Sequence, residues 1–168
     1  MSARIVAALL RHNNLRGVAI DASDFIITDD SFGQAQPDIE RTREYIATHL
    51  TPMLSRDIIP VVTGFIGATS SGQPTTLGRG GGDDTASILA VCTQADEVWI
   101  WSTVDGMMTA DPQEVPDAQI IDVMAYNEVA EMAFFGARIL NARMIAPLRD
   151  HDIPLWVKNV LKPRDPGT

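Results

Sequence analysis

A three-layer α/β sandwich with a mainly parallel sheet is the fold class the sequence predicts. Segments with helical apolar spacing alternate with short apolar runs along most of the chain, the pattern of strands joined by crossover helices. One of those runs, Ile58 to Gly64, is apolar without interruption, as expected of a strand covered on both faces of a parallel sheet.

The elements follow in order. Ser2 to His12 has apolar residues at 5, 6, 9 and 10 and reads as a helix, broken by Gly17. Val18 to Ile20 and Phe25 to Thr28 read as short strands, or as strand and loop, ending in the acidic turn Asp29-Asp30. Pro37 precedes a helix over 38–55, with 39, 46, 50, 53 and 54 on one stripe. After the run at 58–64, Phe65 to Gly72 reads as a loop leading into a glycine-rich stretch, Thr75 to Thr85. A helix over 84–93 follows, with Asp83 as its N-cap, and Glu97 to Trp101 is the next strand. Val104-Asp-Gly106 is a turn and Asp111-Pro112 a loop. Asn127 to Phe135 is helical, with Ala130, Met132 and Phe134 available for packing and Gly136 as its stop. Ala142 to Asp150 is the last helix, and Ile153 to Asn159 the last strand. Residues 162–168, with two prolines and a glycine, read as a C-terminal tail, either the frayed end of the domain or the start of a connection.

Composition narrows the function classes. The chain has 168 residues, enough for one domain with a substantial core. No apolar run reaches the roughly 18 residues of a membrane span, and the N-terminus lacks a secretory pattern, so cytoplasmic residence is expected. A net charge of −9 without a basic cluster argues against nucleic acid or an anionic membrane as partner. Cys92, the one cysteine, falls inside a predicted helix and is expected to be buried. His12, His49 and His151 show no metal spacing and are expected at the surface or at helix ends.

The glycine-rich stretch reads Thr-Thr-Leu-Gly-Arg-Gly-Gly-Gly-Asp-Asp-Thr. Glycines let backbone N–H groups approach a ligand, and a helix N-terminus adds partial positive charge, so the segment suits an anion. Arg79 can clamp a carboxylate or phosphate through two parallel hydrogen bonds. The same composition also serves plain chain reversal. The Gly-Lys-Ser/Thr ending of a Walker loop is absent. In open α/β sheets ligands sit beyond the carboxyl ends of the strands, which points to the loops after Thr63 and Trp101.

Four blocks in order carry a resemblance: Thr63-Gly-Phe-Ile-Gly67; Thr75-Thr-Leu-Gly-Arg-Gly-Gly81 with Asp83; Val104-Asp-Gly106 with Thr109-Ala-Asp-Pro112; and Glu131-Met-Ala-Phe-Phe-Gly-Ala137. Thr28-Asp29 with Phe32-Gly33, and Ile153-Pro154, are smaller echoes. Together they resemble the aspartokinases of the amino acid kinase superfamily over nearly the whole chain. The resemblance implies ATP-dependent phosphoryl transfer to the side-chain carboxylate of aspartate, with Mg2+ bridging the phosphates. It implies that Thr75 and Thr76 shape the amino acid pocket, that Arg79 holds the substrate carboxylate, and that Asp83 organises the catalytic centre. Ser102, Thr103, Met108, Gln113 and Arg138 would contact ATP or ADP. No protein metal ligand is implied.

Departures from the family pattern accompany the matches. The N-terminal Lys-Phe-Gly-Gly strand and the Gly-Glu pair of the family are not in this chain, and neither are the regulatory domains. The reading is therefore a C-terminal portion of the fold, with 1–161 as a partial kinase domain. Gly82 stands for a family serine, and Asp84 adds an anion. Ser102-Thr103 replaces Thr-Asp, Gln113 an arginine, Arg138 a lysine, and Asn141-Ala142 a His-Pro pair. Losing one charge-stabilising group costs such a site about 10²- to 10³-fold, so weak activity of the isolated chain is expected. A non-catalytic nucleotide-binding or assembly module is the alternative. An uncovered parallel-strand edge invites association, hence an expected homodimer or a complementing N-terminal half.

Overall fold

A computed structural model describes residues 1–111, 114–134 and 140–168. The chain forms two compact units, Met1–Gln94 and Ala95–Thr168. Helices combine with mainly parallel strand pairs in the α/β class the sequence predicts.

In the first unit, α1 (Ser2–His12) precedes β1 (Gly17–Ile20). Gly17 is needed at this junction because a Cβ there would lie 2.7 Å from the Leu10 Cβ. A 3₁₀ turn, Ala22–Asp24, then leads to β2 (Ile27–Thr28), so the expected strand over 25–28 is shorter, with Phe25 closing the turn. Asp38 caps α2 (Ile39–His49), its carboxylate accepting from the Arg41 N–H at 3.1 Å. The single helix expected over 38–55 is broken: α2 ends at His49, capped by Leu50, and a short α3 (Thr51–Leu54) begins. Pro52 explains the break, since it has no N–H to continue the α2 ladder but is suited to a first helical turn.

Strand β3 (Ile59–Val62) pairs in parallel with β1, from Gly17 opposite Ile59 to Ile20 opposite Val62. It is not the doubly covered strand its composition suggests. Ile59 is 39% exposed and the other three residues are half-buried. Phe65 to Gly72 is not a plain loop either, for it contains β4 (Ile66–Thr69), parallel to β2 and antiparallel to β5 (Pro74–Thr76). Its small residues explain both the strand and its weak signal. A Cβ on Gly67 would meet the Ile26 carbonyl oxygen and the Thr28 Cγ2 at 2.8 Å. Helix α4 (Gly81–Thr93) completes the unit. Ala22, Phe25, Ile26, Ile46, Leu50, Leu77, Ile88 and Cys92 form the core. Each large aliphatic or aromatic member contributes about 1.5–3 kcal/mol of burial. Cys92 is buried as expected, and burial pushes its thiol pKa up.

In the second unit, β6 (Val98–Ser102) and β7 (Leu155–Asn159) run parallel, with Val98 opposite Leu155 and Ser102 opposite Asn159. Val98 and Val157 are buried on one face, while Trp99, Trp101 and Trp156 are exposed on the other. The Lys158 Nζ lies 5.0 Å from the Trp99 ring centroid, in cation–π range. Helix α5 (Tyr126–Phe134) buries Val129 and leaves Ala130 exposed, so Ala130 is not the packing residue the spacing suggests. Phe135 and Gly136 lie outside the described residues. Helix α6 (Ala142–Asp150) is capped by the Asn141 side chain and buries Met144, Ile145 and Leu148.

The final residues are not frayed. Val157 and Thr168 exchange backbone hydrogen bonds of 2.9 and 3.1 Å. All three histidines are exposed and sit at helix ends. Among the described residues no helix is long and apolar enough to cross a membrane.

Candidate functional site

In the first unit the glycine-rich segment is anchored at its centre by Leu77, which is fully buried and donates its N–H to the Phe65 carbonyl at 2.9 Å. Gly78 and Gly80 then adopt left-handed φ values of 86° and 81°, and the Gly81 N–H closes the turn on the Gly78 carbonyl at 2.9 Å. These torsions strain any residue with a Cβ. Gly80 is therefore the N-cap of α4, and Asp83 is not. The helix starts three residues earlier than expected, which places Asp83 and Asp84 in its first turn.

Asp83 is half-buried, and burial raises its carboxyl pKa above the ordinary value. Asp84, the added anion of the segment, is buried. Arg79 projects from the loop as an exposed guanidinium and forms no ion pair with a described residue.

The turn at Gly64–Phe65 is stitched to the start of α4. Phe65, held at φ 78°, directs its N–H to the Gly81 carbonyl at 3.2 Å and to the Thr85 hydroxyl at 3.0 Å. Thr85 in turn donates to the Gly81 carbonyl at 2.7 Å. A Cβ on Gly81 would sit 2.9 Å from the Phe65 ring. Thr75 is buried, its hydroxyl 2.7 Å from that of Thr28, while Thr76 is half-buried and its carbonyl accepts from the Ala35 N–H at 3.0 Å. Asp29 organises the neighbouring loop, accepting from the N–H groups of Gln36 and Ser31 at 2.9 and 3.1 Å. Those bonds, Gln36 first, hold its carboxyl below the ordinary range.

Thr28, Phe65 and Thr85 are the supports that reading for chemistry passes over. Thr28 and Phe65 fall within sequence blocks already singled out, and Thr85 closes the glycine-rich stretch. The result is a loop of closely approached backbone with an exposed guanidinium, unpaired among the described residues, and a half-buried carboxylate at a helix N-terminus. It can hold an anionic group.

In the second unit, Ser102 ends β6 half-buried, with its carbonyl accepting from the Val160 N–H at 2.8 Å. Thr103 is exposed on the turn that follows. Asp105 is bonded by the Asn159 Nδ2 at 2.5 Å and the Lys162 Nζ at 2.8 Å, and these partners, Lys162 first, hold its carboxyl below the ordinary range. Met108 is half-buried and bridged to Ile120, flanked by a bond from the Thr109 N–H to the Gln119 carbonyl at 2.9 Å. Gln113 and Arg138 lie outside the described residues.

Comparison with known proteins gives the geometry its context. The family model described as the amino acid kinase family matches residues 1–159. Lysine-sensitive aspartokinase 3 of Escherichia coli K12 is 40% identical over 168 residues, covering 100% of this chain and 37% of that protein. The chloroplastic aspartokinase 2 of Arabidopsis thaliana is 38% identical over 171 residues, covering 100% of this chain and 31% of its own length. The crystal structure of E. coli aspartokinase III in complex with aspartate and ADP superposes with a TM-score of 0.92 at 40% identity, over 99% of this chain and 37% of that one. The chain thus spans about a third of the length of these two relatives.

Proposed function

Because the chain belongs to the amino acid kinase family, we propose that it is the substrate-handling part of an aspartokinase, serving ATP-dependent phosphoryl transfer to the side-chain carboxylate of aspartate. The observation that carries this reading is the exposed Arg79, without an ion pair among the described residues, on a loop of left-handed glycines at the start of α4, in a chain similar throughout to an enzyme crystallised with aspartate and ADP.

In this reading the first unit handles the amino acid. Arg79 takes a carboxylate of aspartate through its planar fork. Thr75, buried against Thr28, fixes the strand that leads into the loop, and Thr76 lines the pocket. Asp83 accepts hydrogen bonds at the catalytic centre. The carboxylate nucleophile is already ionised at neutral pH, so no general base is required, and the chain's task is to orient reactants and balance charge.

The second unit handles the nucleotide through Ser102, Thr103 and Met108, with Gln113 and Arg138 assigned to the same role. Among the described residues no group of three His, Cys, Asp or Glu side chains is arranged to hold a metal. Mg2+ would supply charge neutralisation to the phosphates.

Calorimetric titration of the chain with L-aspartate, and separately with ADP and Mg2+, tests the proposal. Binding of both is expected, with Arg79→Ala losing aspartate alone. The absence of heat with either ligand would overturn it. Binding with no turnover in a coupled ATP and aspartate assay would support the narrower role of a binding module.

A further inference from the structure

The turn after β6 is fastened by side chains from a single distant segment. Asn159 is 5% exposed at the end of β7. Its Nδ2 donates to the Thr103 carbonyl at 3.4 Å and to the Asp105 Oδ1 at 2.5 Å, while its Oδ1 accepts from the Leu161 N–H at 2.8 Å. Lys162 takes the second oxygen of Asp105 at 2.8 Å, so the carboxylate is held through both oxygens. On the other side of the turn, the Met107 N–H donates to the Thr168 Oγ1 at 2.7 Å. Thr168 is itself tied to Val157 through the backbone.

Two glycines make the approach possible. A Cβ on Gly106 would lie 2.5 Å from the Thr168 Oγ1, and one on Gly167 would lie 2.1 Å from the Val157 carbonyl oxygen. The β6–β7 pair is complete in its own ladder from Val98 to Ser102, so these side-chain bonds add to the turn rather than to the sheet. Their arrangement leaves the Thr103 side chain exposed and those of Ser102 and Met108 half-buried.

We propose that Asn159 is a positioning residue for nucleotide binding: with Lys162 and Thr168 it holds the 102–108 turn in the one conformation that receives the nucleotide. This rests on the assignment of that turn to the nucleotide. The side-chain chemistry at 159 is specific. Leucine would remove the donor to the Thr103 carbonyl and to the Asp105 Oδ1, and aspartate would set two carboxylates in contact. A turn held in one conformation has little left to order on binding. If the competent form falls to a tenth of the population, the apparent Kd rises about tenfold.

The test uses the full chain and ADP with Mg2+, titrated by calorimetry beside a thermal melt and an L-aspartate titration. Asn159→Ser is expected to raise the Kd for MgADP about tenfold while leaving aspartate affinity unchanged. Lys162→Met, at a more exposed pair, is expected to raise it about two- to fivefold without moving the melting midpoint, and Lys162→Arg is expected to restore it. MgADP affinities within twofold of the parent for both Asn159→Ser and Lys162→Met would overturn the inference and leave the assigned function standing. A parent chain that binds aspartate but not MgADP would overturn the nucleotide assignment and this inference with it. Should Asn159→Ser fail to fold, the Lys162 pair decides.

Discussion

The hydroxyls of Thr28 and Thr75 lie 2.7 Å apart inside the first unit, joining β2 to β5 across β4. Thr28 donates its own hydrogen to the Asp29 carbonyl at 2.9 Å, which makes Thr75 the donor to Thr28. The order of the chain matters, because the two ends are unequal.

Thr28→Val strands both the Thr75 hydroxyl and the Asp29 carbonyl, and is expected to cost about 1–3 kcal/mol. Thr75→Val leaves Thr28 still bonded to Asp29, and is expected to cost less than about 1 kcal/mol. Urea midpoints of the two variants measure the difference. An equal or larger loss for Thr75→Val would contradict the donor order.

Adjacent glycines at the start of α4 should respond in opposite directions to alanine. At Gly81 the new Cβ meets the Phe65 ring at 2.9 Å and the Leu77 Cβ at 3.1 Å, so Gly81→Ala is expected to lose about 1–3 kcal/mol by overpacking. At Gly82 nothing lies within 4 Å, so Gly82→Ala is expected to gain up to about 1 kcal/mol from helix propensity. Thermal melts that rank the pair in the reverse order would refute the close approach of Phe65 to α4.

Arg79 makes no ion pair with a described residue, so its replacement should act on ligand and not on fold. Arg79→Lys keeps the charge but loses the two-pronged geometry, and a roughly tenfold weaker aspartate affinity is expected, with an unchanged melting midpoint. Calorimetry beside a melt checks both halves. A stability loss at unchanged affinity would make Arg79 a structural residue.

Asp83 ties stability to pH. Burial raises its folded-state pKa, so the folded chain takes up a proton more readily than the unfolded one. That contribution is fully present below the ordinary carboxyl value and is lost as pH rises through the raised one. The helix N-terminus favours the charge by a few tenths of a kcal/mol, which opposes the effect of burial. Asp83→Asn is therefore expected to be more stable than the parent at pH 7, by less than about 1 kcal/mol for so partly solvated a group, with the gain fading towards pH 4. Melts at the two pH values check the sign, and a less stable Asn variant at pH 7 would show that the carboxylate has a stabilising partner.

The site was legible in sequence where glycine and charge are themselves the signal. The glycine-rich loop ahead of a helix, and the exposed Arg79 within it, follow from the segment Thr75 to Thr85. Its supports were not. Asn159 and Thr103 are 56 residues apart, and Met107 and Thr168 are 61 apart, so no local pattern announces their bonds. The capping role also moved from Asp83 to Gly80, because a backbone torsion and not a side-chain preference set the helix start.

By itself the sequence determined the elements whose apolar spacing is periodic, and it did so to the residue for α1 (Ser2–His12) and α6 (Ala142–Asp150). It also determined the family, since the order of the glycine and aspartate blocks is a property of the chain alone. Tertiary structure decided the rest. Strand β4 exists because Gly67 and Ala68 are small enough to lie between β2 and β5, a matter of backbone proximity that leaves little trace in hydropathy. The last residues pair with Val157 for a similar reason: Gly167 permits the approach, and hydrogen bonds between distant backbones form only once the strands that carry them are in place.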